Sequence, residues 1–210
     1  MTDVWSNRAQ AYRESDAHRQ GPDLDLLVEW AEGETALDVA SGGGHVARRL
    51  RETGLRVVTV DPSPGMEADV QASAEQLPFG DSSFDTVVTR IAAHHFRDVA
   101  AALAELARVG GRVVLVADMR YSDERREHAE RLRDPLHVRS YSEDEWRALF
   151  QGAGLEVEAV ELVDVEIELE PWLERAGCTG EPAERVRELL VDRVHDGRLE
   201  MPRIVLKGRV

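Results

Sequence analysis

Residues 35–52 read TALDVASGGGHVARRLRE, and the parsing of this stretch decides the fold. Thr35 to Ala40 is a short apolar run of the length of a buried strand, and His45 to Glu52 carries the pattern of a helix. Between them stand Ser41 and three successive glycines, Gly42 to Gly44. Glycine is unfavourable inside regular structure and permissive where a backbone turns sharply or passes something closely. The stretch therefore reads as strand, tight turn and helix, the opening unit of a parallel sheet.

The sequence downstream repeats that unit. Leu55 to Asp61 (LRVVTVD) is a second strand rich in β-branched residues, and Phe84 to Thr89 (FDTVVT) is a third. Val99 to Val109 repeats apolar residues at helical spacing, and Arg112 to Asp118 (RVVLVAD) follows as a strand. Apolar runs without strict alternation mean strands buried on both faces. Right-handed crossovers then give an α/β fold, a doubly wound, Rossmann-like, mostly parallel sheet with helices on both faces. Ser142 to Gly154 is a well-marked helix, with a serine cap, an acidic first turn and a glycine stop. Leu155 to Glu170 alternates apolar with acidic residues, as one or two amphipathic strands. From Pro171 a short helix, a turn and a longer helix follow, and the tail, Pro202 to Val210, reads as a final edge strand.

With 42% hydrophobic and 32% charged residues, the 210-residue chain fits one globular domain whose core needs neither disulfides nor metal. Its single cysteine, Cys178, excludes a disulfide framework and a cysteine-based zinc site, and suits a reducing compartment. A net charge of −15 argues against nucleic-acid or anionic-membrane partners. The start, MTDVWSNRAQAY, lacks the apolar core of a signal peptide, and the longest apolar run, Val113 to Ala117, is too short to span a bilayer. The expectation is a soluble cytoplasmic protein.

Gly42 to Ala47 formally satisfies the dinucleotide pattern G-x-G-x-x-G/A, and Asp61 follows Gly42 by 19 residues, where an acid can accept both hydroxyls of a ribose. Asp38 does not suit a dinucleotide. A carboxylate inside the first strand suits an ammonium group, directly or through water, and would repel a pyrophosphate.

LDVASGGGH, VTVDPSPGM, AEQLPFGDSSFDTVVTRIAAHHF and GGRVVLVAD, in that order, resemble the motifs of class I S-adenosylmethionine-dependent methyltransferases. They are most similar to the small-molecule branch that includes the ubiquinone and menaquinone C-methyltransferases. The resemblance covers about residues 20–120, and Glu130 to Leu155 is similar to a subset of bacterial members. It implies S-adenosyl-L-methionine as cofactor and a small organic acceptor as partner. It places Asp38, Ala40, Ser41, Gly42 and Gly44 around the methionine moiety, and Asp61 with Pro62 and Ser63 at the ribose. Met66, Ser73, Ala74 and Glu75 fall against adenine, and Arg90 joins the cofactor-binding set. Three departures stand out. The segment between Asp61 and Ala74 is abbreviated, with Pro62 and Pro64 opposing a long helix. Ser73 stands where many relatives carry an aspartate, and the loop before Gly110 is short.

Methyl transfer is an in-line displacement that positioning and exclusion of water can accelerate, with at most one base. His94 and His95 follow the FDTVVT strand at the carboxyl end of the sheet, where ligands of such folds bind, so either could be that catalytic base. The alternative is that one packs under the Phe96 loop and the other bonds backbone. Arg133, His137, Arg139 and Tyr141 lie in a dense polar stretch that reads as a lid, with Arg139 and His137 holding an acidic or phenolic substrate, or as a solvated loop with local ion pairs. Tyr12, His18 and Arg19 belong to a segment that folds across the cofactor or forms a surface helix. Trp146 and Trp172 read as packing residues. No histidine or carboxylate spacing suggests a metal site. The division expected is a cap over residues 1–34, a cofactor-binding half over 35–118 and a substrate-side half over 119–210, in one domain. Two rival functions stay open: a non-catalytic binder of the same cofactor, and a nicotinamide-dependent oxidoreductase.

Overall fold

The computed structural model describes residues 3–210, so the first two positions of the expected cap lie outside the described residues. Three helices lead in: α1 (Val4–Glu14), α2 (Asp16–Arg19) and α3 (Pro22–Trp30). Strands and helices then alternate as β1 (Thr35–Val39), α4 (His45–Glu52), β2 (Arg56–Val60), β3 (Phe84–Arg90), α5 (Val99–Val109) and β4 (Gly110–Met119). Next come α6 (Glu124–Arg133), α7 (Glu143–Gly152), β5 (Glu156–Glu168), α8 (Leu169–Ala176), α9 (Gly180–Leu189), β6 (Val194–His195) and β7 (Arg198–Arg209).

The strands form one mixed, mostly Rossmann-like sheet in the order β2-β1-β3-β4-β7-β5, with β6 paired to β7. The first four strands are mutually parallel, whereas β7 runs antiparallel to both neighbours. Successive residues of β4 explain the unbroken apolar runs. Val114 and Val116 enter a core with α5 and α7, including Leu103, Leu106, Trp146 and Phe150, while Val113 and Leu115 enter one with α3 and α4, including Leu24, Leu27, Val46 and Leu50. Both faces are covered, so both side-chain rows are apolar.

One expectation is corrected. The C-terminal strand is not an edge: β7 lies between β4 and β5, and Ile204, Val205 and Leu206 are fully buried. Its Pro202 sits just past the last β4 pair, Met119 with Arg203, so the missing amide interrupts no regular ladder bond there. Leu155 to Glu170 resolves into the single strand β5, whose acidic residues fall on an outer edge, where charge discourages pairing with other chains. The segment after β2 is as short as its prolines imply. Pro64–Met66 is one turn of 3₁₀ helix, and the usual next strand shrinks to a single bridge between Val60 and Val70. Asp69 completes that edge by accepting the Thr59 amide at 2.9 Å and its hydroxyl at 2.8 Å.

Candidate active site

The site starts at the turn after β1. Ala40 takes a left-handed conformation (φ 55°), and the Ser41 amide donates to Val60 O at 3.0 Å, which ties the turn to β2. Gly44 begins α4 at φ 71° and has no side chain with which to cap it. Asp38 supplies the cap from inside β1: its carboxylate accepts the Ala47 amide, three residues past Gly44, at 3.0 Å. Burial pushes this carboxyl up to about 7. Asp38 thus lies beneath the turn, not on its open side.

The three glycines face different things. A Cβ on Gly42 or Gly44 would meet nothing within 4 Å, whereas one on Gly43 would stand 3.0 Å from Tyr12 O and 3.1 Å from Arg13 Cα, at the end of α1. Gly42 donates its amide to Asp61 Oδ2 at 3.0 Å, and Ser63 donates to Oδ1 at 2.9 Å. Burial raises the Asp61 carboxyl above its ordinary value, opposed by these two bonds.

Helix α1 is strapped across this end of the sheet. Near its start, the Ser63 hydroxyl donates to Asp3 at 2.6 Å and the Gly65 amide to Ser6 Oγ at 2.8 Å. Near its end, Arg13 donates to Gly65 O at 2.6 Å, and His45 Nε2–H donates to Tyr12 O at 2.9 Å. The segment that follows is held by a buried triad. Arg90 Nε donates to Asp23 at 2.7 Å, Arg203 pairs with the same carboxylate at 2.8 Å, and Arg90 also reaches His18 O and Gln20 O.

Between strap and sheet lies a cavity of about 470 Å³. Of the residues singled out from sequence, Ala40, Ser41, Gly42, Asp61, Pro62, Met66, Ser73, Ala74, Glu75 and Arg90 line it. Asp38, Gly44 and Ser63 stand behind that lining. Tyr12 and His18 also face the cavity, so the N-terminal segment crosses the site. Sequence reasoning missed Trp5, Gly43, His45, Val46, Ile91, Ala92, Phe96 and Arg97. A lone tryptophan in a polar N-terminal stretch was the available signal for Trp5. Ile91, a β-branched residue at φ 52°, offers a structural one: such strain gathers at functional sites.

The adjacent histidines separate. His95 lines the cavity, touches the Trp5 ring edge-on at 4.7 Å between centroids and donates Nδ1–H to Leu136 O at 2.9 Å. Burial, then the neighbouring His94 charge, holds its imidazole well below the ordinary histidine value. His94 is buried beneath it and donates Nδ1–H to Asp118. Burial opposes its charge, yet the Asp118 carboxylate, with Glu130, raises the imidazole above the ordinary value.

None of the four residues expected in the lid lines the cavity. Arg133 is buried over the Trp172 ring at 4.4 Å and donates to Trp172 O. His137 is buried against Glu127 at 3.0 Å. Arg139 pairs with Glu145 and stacks on Tyr141 at 4.6 Å, while Tyr141 packs on Trp146. Among the described residues, no three histidine, cysteine or carboxylate groups converge to hold a metal ion, and no helix is long and apolar enough to cross a membrane.

Comparisons with known proteins agree with this architecture. The pattern of the methyltransferase-domain family matches residues 37–115. The chain is 34% identical to YcgJ of Bacillus subtilis, an uncharacterized methyltransferase, over 91% of this chain and 84% of that one. The crystal structure of YcgJ superposes with a TM-score of 0.79 at 28% identity, covering 89% of this chain and 97% of that one. The BH2331 protein of Bacillus halodurans gives 0.78 at 28% identity, covering 90% and 99%. A demethylmenaquinone methyltransferase of Beutenbergia cavernae is 36% identical over 96 residues, 40% of each chain.

Proposed function

The chain belongs to the class I S-adenosylmethionine-dependent methyltransferases, and we propose that it methylates a small organic acceptor held between the glycine turn and His95. The carrying observation is the cavity itself: it runs along the carboxyl ends of β1, β2 and β3, with Asp61 and Gly42 among its lining residues and His95 among the others.

The residues present suit the cofactor. Gly42 leaves open space where any side chain would project, as close approach of a methionine moiety requires. Each Asp61 oxygen accepts one amide and keeps a second lone-pair site for a ribose hydroxyl. Ser73, Ala74 and Glu75 would bound the adenine, Glu75 being fixed by the Arg97 amide at 3.1 Å. The cofactor, when bound, supplies an electrophilic methyl group on a sulfonium. The chain then has two tasks. Trp5, Tyr12 and Phe96 wall the cavity with rings and exclude water, and His95 accepts the proton that an oxygen, nitrogen or carbon nucleophile must lose. A neutral His95 is in the state that this task needs. The surface charge of −15 supports a small-molecule acceptor over nucleic acid.

A panel of phenols, enols, amines and carboxylates, assayed for S-adenosylhomocysteine release, tests the reading. At least one class should be methylated by the wild type, and His95→Gln should slow it. An acceptor turned over equally fast by His95→Gln removes His95 from the chemistry.

A further inference from the structure

Behind His95 stands a set of buried polar groups for which methyl transfer has so far required nothing. Asp118, at the end of β4, is fully buried and accepts the His94 amide at 2.9 Å, the Met119 amide at 2.7 Å and the His94 Nδ1–H. The His94 ring lies against the His95 ring with centroids 4.0 Å apart. Its carbonyl accepts the amides of Val138 at 2.9 Å and Arg139 at 3.3 Å, which fixes the loop after α6. That loop supplies Leu136 O, the acceptor for His95 Nδ1. The contacts therefore close a circuit from Asp118 through His94 and the loop back to His95. A backbone carbonyl only accepts, so a neutral His95 carries its proton on Nδ1 and a lone pair on Nε2.

We propose that Asp118 and His94 are a positioning pair that holds His95 as the Nδ1–H tautomer, with Nε2 free to take an acceptor proton. This rests on the reading of His95 as the base. The charged and titratable groups around the pair are Asp118 from β4, Glu130 and Arg133 from α6, and His137 from the loop, itself paired with Glu127. Burial opposes charge on both rings, but on His94 the Asp118 and Glu130 carboxylates favour it. The charged groups acting most strongly on His95 are cationic or basic: His94, His137 and Arg133. Asp118 thus favours a proton on His94, and positive charge on His94 disfavours one on His95. Two effects, one geometric and one electrostatic, converge on the same free nitrogen.

The test needs no acceptor. In the full chain carrying isotope-labelled histidine, long-range proton–nitrogen correlation NMR reads ring tautomers and titration midpoints. The wild type should show His95 as a single Nδ1–H tautomer, uncharged through the neutral range. Asp118→Asn keeps a hydrogen-bonding group of the same shape and removes the charge. His95 should then titrate about one pH unit higher, the scale of losing one like charge in ring contact, and populate both tautomers. His94→Gln should raise the midpoint likewise. Wild-type His95 protonated on Nε2 overturns the proposal, and so does an unchanged His95 tautomer and midpoint in both variants. The wild-type spectrum decides even if a variant fails to fold. Full turnover by His95→Gln would instead overturn the base reading while leaving the tautomer result intact, so the two failures are distinguishable.

Discussion

Asp38 is a carboxylate inside a strand, and its partner is a backbone amide of the next helix. From sequence, the residue looked like a counter-charge for a ligand ammonium group. The helix needed it first, because Gly44 at the N-cap has no side chain to offer. Burial raises the folded carboxyl to about 7, against an ordinary value of 3.8. Between those values the folded chain binds a proton that the unfolded chain has lost, so stability falls as pH rises through the window. Asp38→Asn removes this slope. Its urea stability relative to wild type should improve from about pH 4 to about pH 7, by at most about 4 kcal/mol. A constant difference across that range would place the titration elsewhere. His95 gives the opposite kind of pH prediction. Because burial and the His94 charge keep it neutral, turnover on a true acceptor should be flat from about pH 6.5 upward and fall only in acid. His95→Gln should cost about 10²–10⁴ in rate with cofactor affinity nearly unchanged.

At the scale of elements, the strap α1 and the turn after β1 fit each other through Gly43. That glycine lies outside the left-handed region, so alanine is conformationally allowed, but its Cβ would crowd His45 Nε2, Tyr12 O and Arg13 Cα. Gly43→Ala should therefore speed amide hydrogen exchange in α1 while leaving β3 and β4 protected. The clamp beyond α1 is a buried arginine pair on one carboxylate. Arg90→Met leaves Asp23 with Arg203 alone and frees His18 O and Gln20 O, and should cost about 3–5 kcal/mol by denaturant unfolding. Parallel strands were legible because burial on both faces makes them plain apolar runs. The place of β7 was not. Lys207 and Arg209 look like edge charges, yet they reach sideways to Glu32 and Glu158, partners far away in sequence. Local pattern carries no information about such pairs.

For the molecule as a whole, the half of the site built on β1, β2 and β3 was readable because each contributing residue follows its own strand. In the wall contributed by α1, Tyr12 was legible as one of two alternatives for its segment, whereas Trp5 was not, since it reaches the cavity only through tertiary docking of α1 on Gly65. The polar stretch Arg133 to Tyr141 left two readings open for a related reason: the partners of its charges lie on α6, α7 and α8, which local pattern does not specify. The central proposal is that the cavity closed by α1 holds the cofactor with Asp61 at its ribose. Calorimetric titration of wild type and Asp61→Ala with S-adenosylhomocysteine tests this most directly. Loss of charge-assisted bonds should weaken binding by about 1.5–3 kcal/mol, roughly ten- to more than a hundredfold. Equal affinity in a folded Asp61→Ala protein would contradict the assignment of the site.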